Sequence, residues 1–352
     1  MATPDNNTSS LREGVLVPML AFFTPKDEID IPATQRHTAR LLAAGVAGLV
    51  VHGSNGEAVH LTREERHAVI KAVADIVRRD VIPHSQAPFP IIAGCGAQSV
   101  KETIELCQDA KEAGATHALV LPPGYYAGII TKDQIVQYFL DVATASPVPI
   151  LIYNFPAAAN GVDLDSDTIL RIAAHPNVVG VKLTCGNTGK MARVIAGTRG
   201  LGGVFAWNSA GGLVDSPEVQ SRMIPSRKFY VFGGSADFIF QGLAIGAQGT
   251  IAGFANLAPR ACVRLCELYA NGEMEHARQL QFALAGADWL AIQYGFVGVK
   301  AAMAVFDIET EAASCAPRLP FKALELDGSA VKKIREGMKT VIDYEKTLEA
   351  SA

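Results

Sequence analysis

Short apolar runs rich in Val, Ile, Ala and Gly recur along the chain, at 15–22, 48–52, 91–94, 118–121, 150–154, 178–182, 229–232 and 249–252. A continuous apolar run of this length reads as a strand covered on both faces, the habit of parallel sheets. Between the runs, apolar positions recur at helical spacing near 33–44, 62–79, 99–113, 131–145, 165–174, 188–198, 236–245 and 259–270. Eight strands, each followed by a helix, predict an α/β fold, the (β/α)8 TIM barrel closed by parallel strands. A doubly wound open sheet competes with it. That fold usually carries a glycine-rich dinucleotide turn after its first strand, and residues 18–25 hold none. Helix punctuation agrees with the pattern. Thr62 and Glu65 form a capping box, Ser99 and Asp165 are N-caps, and Gly114 and Gly272 are C-terminal stops.

Two stretches depart from this rhythm. Residues 200–228 separate the sixth helix from the seventh strand and are too long for an ordinary connection. They are expected to form an excursion on the face away from the chemistry. Residues 273–350 exceed what eight units need and predict helices near 273–292, 296–305 and 329–349, packed on the barrel. The expected organisation is a flexible tail at 1–13, a barrel catalytic domain at 14–272 and a helical C-terminal region at 273–352.

Composition narrows the function classes. The chain has 352 residues, 49% of them hydrophobic, and a formal net charge of −4. There is no basic footprint for nucleic acid. No apolar stretch reaches the roughly 18 residues of a membrane span without Gly, Pro or a charge. The six cysteines form no C-x-x-C pair, and no histidine pair lies at zinc spacing beside Cys262 and Cys266. They read as free thiols in a reducing compartment rather than a metal site. Residues 1–12 are polar and lack the apolar segment of a secretory signal. The expected compartment is the cytoplasm, with a mitochondrial presequence a weaker reading.

In a (β/α)8 barrel the chemistry sits at the carboxyl ends of the strands. Lys182 closes the sixth apolar run. A lysine leaving such a strand either snorkels to water or is held in a desolvated pocket, where its neutral amine is favoured and can attack a carbonyl to form a Schiff base. Taken alone, the rim lysine is the simpler account. After the second strand, Gly53-Ser54-Asn55-Gly56-Glu57 makes a tight turn whose backbone N–H groups suit an anion such as a carboxylate, or a plain connection. Tyr153-Asn154-Phe155-Pro156 ends the fifth strand, where a tyrosine either packs at the rim or shuttles a proton. Tyr125 and Tyr126 follow the fourth strand and suit packing or an interface. Gly233-Gly234-Ser235-Ala236-Asp237 follows the seventh and suits either a distal substrate group or an ordinary helix start. Gly186-Asn187-Thr188-Gly189-Lys190 does not match the phosphate-loop spacing. Neither H-E-x-x-H nor G-x-S-x-G is present.

Taken in order, these segments resemble the dihydrodipicolinate synthase / N-acetylneuraminate lyase family of class I, pyruvate-dependent aldolases. GSNGE matches the family's G-[ST]-[TN]-G-E turn, YNFP its Y-N-x-P, and NVVGVKLTCGN its N-x-x-G-x-K-x-x-x-G-N. The 29 residues from Tyr153 to Lys182 agree as well. The resemblance implies a Schiff base between Lys182 and the C2 carbonyl of a 2-oxo acid, with Tyr153 relaying a proton. It implies Ser54, Asn55 and Gly56 at the substrate carboxylate, and Thr184, Gly234 and Ser235 toward the distal end. Tyr126 matches a tyrosine that crosses a dimer interface in many relatives. No metal or other cofactor is implied, and a homotetramer or homodimer is expected. The partners implied are a small-molecule 2-oxo acid and an aldehyde.

Departures narrow the substrate. The turn carries Ser54-Asn55 where dihydrodipicolinate-forming relatives usually carry two threonines, and Ala157-Ala158-Ala159-Asn160 holds no arginine for a second carboxylate. The chain looks more like the fungal 2-keto-3-deoxy-sugar-acid aldolases and the 4-hydroxy-2-oxoglutarate aldolases. The leading expectation is cleavage of a sugar acid such as L-threo-3-deoxy-hexulosonate to pyruvate and glyceraldehyde. Cleavage of 4-hydroxy-2-oxoglutarate to pyruvate and glyoxylate is the alternative. Dihydrodipicolinate-type condensation, a hydratase using the same Schiff base, and a non-catalytic 2-oxo-acid-binding barrel follow behind.

Overall fold

The computed structural model describes residues 11–81, 88–199, 206–207, 213–214, 228–308 and 312–351. The barrel strands are β1 (Gly14–Pro18), β2 (Gly48–Val51), β3 (Ile91–Gly94), β4 (His117–Val120), β5 (Ile150–Asn154), β6 (Val178–Leu183), β7 (Tyr230–Gly233) and β8 (Gly249–Ile251). Each pairs in parallel with the next, and β8 returns to β1 through Gly14↔Gly249, Val15↔Thr250 and Leu16↔Ile251. This closed ring is the expected (β/α)8 barrel.

The continuous apolar runs conceal a period of two. Leu16, Val50, Ile92, Leu119, Leu151 and Ile251 form an inner cluster with Tyr153, Tyr230 and Phe232. Their strand neighbours Val17, Leu49, Val51, Ala93, Val120 and Ile152 join the larger cluster beneath the helices. Both faces are buried, so polarity never alternates. Leu11, on the chain leading into β1, belongs to the inner cluster, and its carbonyl accepts from the Tyr230 hydroxyl at 2.8 Å.

Eight helices surround the barrel: α1 (Ile31–Ala43), α2 (Arg63–Asp80), α3 (Val100–Ala113), α4 (Lys132–Ala145), α5 (Ser166–Ala173), α6 (Thr188–Thr198), α7 (Ile239–Ala244) and α8 (Pro259–Ala270). The capping box at Thr62 and Glu65 is formed in both directions. Ser99 and Asp165 accept from Glu102 N and Thr168 N. Gly114 ends α3 at φ 109°.

Two elements differ from expectation. The first strand stops at Pro18 rather than running to residue 22. Residues 19–23 are apolar because they are buried, but from Phe22 the chain folds back on itself, with Asp30 N donating to Phe22 O and Phe23 bridging Ile29. The seventh helix is shorter than expected, a 3-10 turn at Ala236–Phe238 leading into α7. The expected helices near 273–292 and 296–305 are both present: they make up α9 (Met274–Val305), whose two halves meet at the non-helical Gly295 (φ 59°, ψ −155°). It packs on α8 and on α10 (Ser329–Ala350). By length and composition α9 could cross a membrane, yet it lies against the barrel and carries buried Asp288 and Lys300. Most of the 200–228 stretch lies outside the described residues. Within it, Ala206–Trp207 pairs antiparallel with Leu213–Val214.

Candidate active site

Tyr153 and Lys182 are register partners on adjacent strands β5 and β6, so both side chains emerge at one level inside the barrel mouth. Lys182 Nζ lies 3.4 Å from Tyr153 Oη and 4.4 Å from the centre of its ring. Ser54 Oγ lies 3.5 Å from the same Oη, on the opposite side of the sequence by 99 residues. Both contacts are longer than strong hydrogen bonds, and catalytic contacts commonly tighten only in the reacting complex.

Among the described residues three lysines are buried: Lys182, Lys190 and Lys300. Lys190 is paired with Asp163, and Lys300 with Glu57. Lys182, 2% exposed, forms no ion pair among the described residues and faces a hydroxyl and an aromatic ring. The Lys182 amine thus stands in the barrel mouth beside a hydroxyl and an aromatic face, with no carboxylate among its described contacts.

The turn after β2 is built by close approach. Gly56 N donates to Gly53 O at 3.0 Å and Glu57 N to Ser54 O at 3.2 Å. Gly56 N–H is therefore engaged within the turn, whereas the N–H groups of Ser54 and Asn55 make no backbone hydrogen bond among the described residues. A Cβ on Gly56 would stand 3.0 Å from Met19 O, and one on Gly94 would stand 1.9 Å from His52 O. The Asn55 amide packs on Gly253, where a Cβ would lie 2.8 Å from its Nδ2.

The other expected site residues are distributed around the rim. Thr184 follows Lys182 at the end of β6, and its Oγ1 is buried without a hydrogen-bond partner. Gly234 is pressed against it, since a Cβ there would meet Thr184 Oγ1 at 2.2 Å. Ser235 is not free: its hydroxyl donates to Asp288 Oδ2 at 2.6 Å, and Ala236 N and Asp237 N donate to the same oxygen. Burial raises the Asp288 carboxyl to about 6. Tyr126 is 64% exposed and stands edge-on to Tyr125.

Three supporting groups escaped the sequence reading. Asn154 is buried and folds the loop beyond β5, donating to Asp163 and accepting from Leu164 N. The other two, Asp288 and Lys300, both lie on α9. The signal available for them was a lone Asp and a lone Lys inside an otherwise apolar helix, since buried charges rarely stand without partners. Among the described residues no group of three or more His, Cys, Asp or Glu is arranged to hold a metal ion.

The order of these groups on strands two, five and six of a closed barrel coincides with a match of the Dihydrodipicolinate synthetase family model to residues 11–209 and 203–335. The chain belongs to this family. It is 43% identical over 337 residues to an Emericella nidulans protein named "Probable 4-hydroxy-2-oxoglutarate aldolase, mitochondrial", covering 96% of this chain and 97% of the other. It is 40% identical to the L-threo-3-deoxy-hexylosonate aldolase of Hypocrea jecorina, covering 96% and 99%. Among solved structures, a family protein from Coccidioides immitis matches at TM-score 0.78 and 35% identity, covering 96% and 97%. YagE of Escherichia coli, solved in complex with pyruvate, matches at TM-score 0.75 and 25% identity, covering 95% and 98%.

Proposed function

We propose that this family member is a class I aldolase that cleaves a 2-keto-3-deoxy sugar acid, such as L-threo-3-deoxy-hexulosonate, to pyruvate and glyceraldehyde. The observation that carries the reading is a buried lysine, Lys182, facing Tyr153 with no carboxylate paired to it among the described residues. The Lys182 amine adds to the C2 carbonyl and water leaves, giving an iminium. Tyr153 takes the proton of the C4 hydroxyl, and the C3–C4 bond breaks with its electrons moving into the iminium. Glyceraldehyde departs, the enamine is protonated at C3, and hydrolysis returns pyruvate and the free amine. The N–H groups of Ser54 and Asn55 and the Ser54 hydroxyl hold the substrate carboxylate. Gly56 serves by lacking a side chain.

The distal end favours the sugar acid. The rim beyond Lys182 carries the unpaired Thr184 hydroxyl, and the loop after β7 carries the Asp237 carboxylate, whose Oδ1 has no hydrogen-bond partner. A polyhydroxylated tail finds acceptors there, whereas a second substrate carboxylate would meet like charge. The name of the Emericella nidulans relative keeps 4-hydroxy-2-oxoglutarate as the second reading.

Borohydride reduction in the presence of pyruvate, followed by peptide mapping, tests the mechanism. The expected adduct is a pyruvyl group on Lys182, and its absence from folded protein that binds pyruvate points to a binding barrel instead. Measuring pyruvate release from the two acids separates the substrates. Exposed Tyr126 is the residue proposed to meet a second copy in a dimer or tetramer. The cytoplasm is the proposed compartment, with mitochondria raised by the relative's name and decided by fractionation.

A further inference from the structure

Two non-glycine residues with left-handed backbone, His52 (φ 58°) and Glu57 (φ 49°), bracket the Gly53–Gly56 turn. Residues with a Cβ hold that conformation only where their surroundings fix it. Both are buried, and both are tied by their side chains. His52 Nε2 meets Arg66 O at 2.9 Å. Glu57 Oε1 accepts from Lys300 Nζ at 2.5 Å, and Oε2 accepts from Arg318 N at 3.0 Å and pairs with His60 Nδ1 at 3.0 Å. Lys300 comes from the last part of α9, 243 residues further along the chain. It is fully buried, donates also to Ala316 O at 2.9 Å and lies over the Phe23 ring.

A buried ion pair gives little net stability compared with apolar residues of the same volume. What it does supply is a fixed position for the carboxylate. We propose that Lys300 is a positioning residue for the reaction. Through Glu57 it holds the turn so that the N–H groups of Ser54 and Asn55 face the Lys182–Tyr153 pair. The inference rests on the proposed function in taking that turn as the carboxylate site. It makes the C-terminal helical region a support for the turn rather than a covering layer.

The double variant Glu57→Gln, Lys300→Met removes both charges while keeping volume, and Glu57→Asp retracts the carboxylate by one methylene. Each is compared with wild type by thermal melting and by the pyruvate concentration that half-saturates borohydride trapping. The expected result for the double variant is a Tm near that of wild type with a half-saturation roughly ten- to hundred-fold higher, the loss of one charge-assisted hydrogen bond to pyruvate. Trapping at saturating pyruvate stays close to wild type, because Lys182 and Tyr153 are untouched. Glu57→Asp shifts half-saturation in the same direction. An unchanged half-saturation in either folded variant overturns the positioning role and leaves the aldolase reading standing. No adduct in wild type overturns the aldolase reading itself.

Discussion

Replacing Tyr153 by Phe removes one oxygen and leaves the packing of the mouth in place. The ring keeps its stacked contact with Phe155, 5.8 Å between centroids, and its face toward Lys182. The lost hydroxyl has two contacts, at 3.4 Å to Lys182 Nζ and 3.5 Å to Ser54 Oγ. At those lengths the effect on folding stability should be no more than about 1 kcal/mol. The effect on turnover is larger, because the C4 hydroxyl loses its proton acceptor in the bond-breaking step. General acid–base catalysis contributes about 10²- to 10⁴-fold, which corresponds to about 2.7–5.4 kcal/mol of barrier. Two assays separate the stages. Pyruvate release from the sugar acid should fall by that factor, while prolonged borohydride trapping with pyruvate should still label Lys182. A folded Tyr153→Phe enzyme with kcat within ten-fold of wild type would refute the proton-relay role and require another base.

Asp288→Asn tests the buried carboxylate. The wild-type group is raised to about 6, above the ordinary value near 4 for Asp. The folded state therefore binds the proton more tightly than the unfolded one, and wild type loses up to roughly 3 kcal/mol as pH rises from about 4 to 6. Asparagine has no such titration, so the difference in Tm should move in favour of the variant across that window; a difference independent of pH refutes the burial argument. Gly94→Ala places a Cβ 1.9 Å from His52 O, and a denaturation midpoint should report a loss of about 1–3 kcal/mol or more; an unchanged midpoint contradicts the close packing. Gly295→Ala forces a Cβ into φ 59°, ψ −155°, a region held almost only by glycine, at a cost of about 1–3 kcal/mol. Tm should fall and the half-saturation for pyruvate trapping should rise together, and a shift in Tm alone would show that the bend does not reach the site.

The barrel was legible because each strand is a short apolar run and several helices carry a start or stop signal, as at Thr62, Ser99, Asp165 and Gly114. Lys182 and Tyr153 were legible for a related reason. Both lie at the carboxyl ends of adjacent strands, and the ladder between β5 and β6 sets them opposite each other. Local rules fail where apolarity arises from something other than a ladder. Residues 19–22 are as apolar as a strand but are buried in a loop that turns back at Phe22. The engagement of Ser235 was hidden because its partner Asp288 lies 53 residues away on an element outside the barrel repeat. Glu57 was visible as part of a motif, but its partner Lys300 depends on where α9 docks. Tertiary ion pairs of this kind leave only a weak trace in sequence, a charge inside an apolar helix.

The bend in α9 gives these two charges a common purpose. Twelve residues separate Asp288 from Lys300. On a straight helix they would stand about 18 Å apart along the axis and about 120° apart around it. One would face the barrel and the other would face away. Gly295 lies between them and breaks the helical path, so each half presents its charge inward. Asp288 takes three donors at the loop after β7, and Lys300 reaches the carboxylate behind the turn after β2. The groups they meet are of opposite polarity: hydrogen-bond donors at one loop, a carboxylate at the other. Asp288 is hydrogen-bonded by its loop and Lys300 is ion-paired with Glu57, and neither is paired with Lys182 among the described residues. The two halves of α9 thus brace two loops of the mouth, while Lys182, the proposed nucleophile, has no ion-pair partner among the described residues.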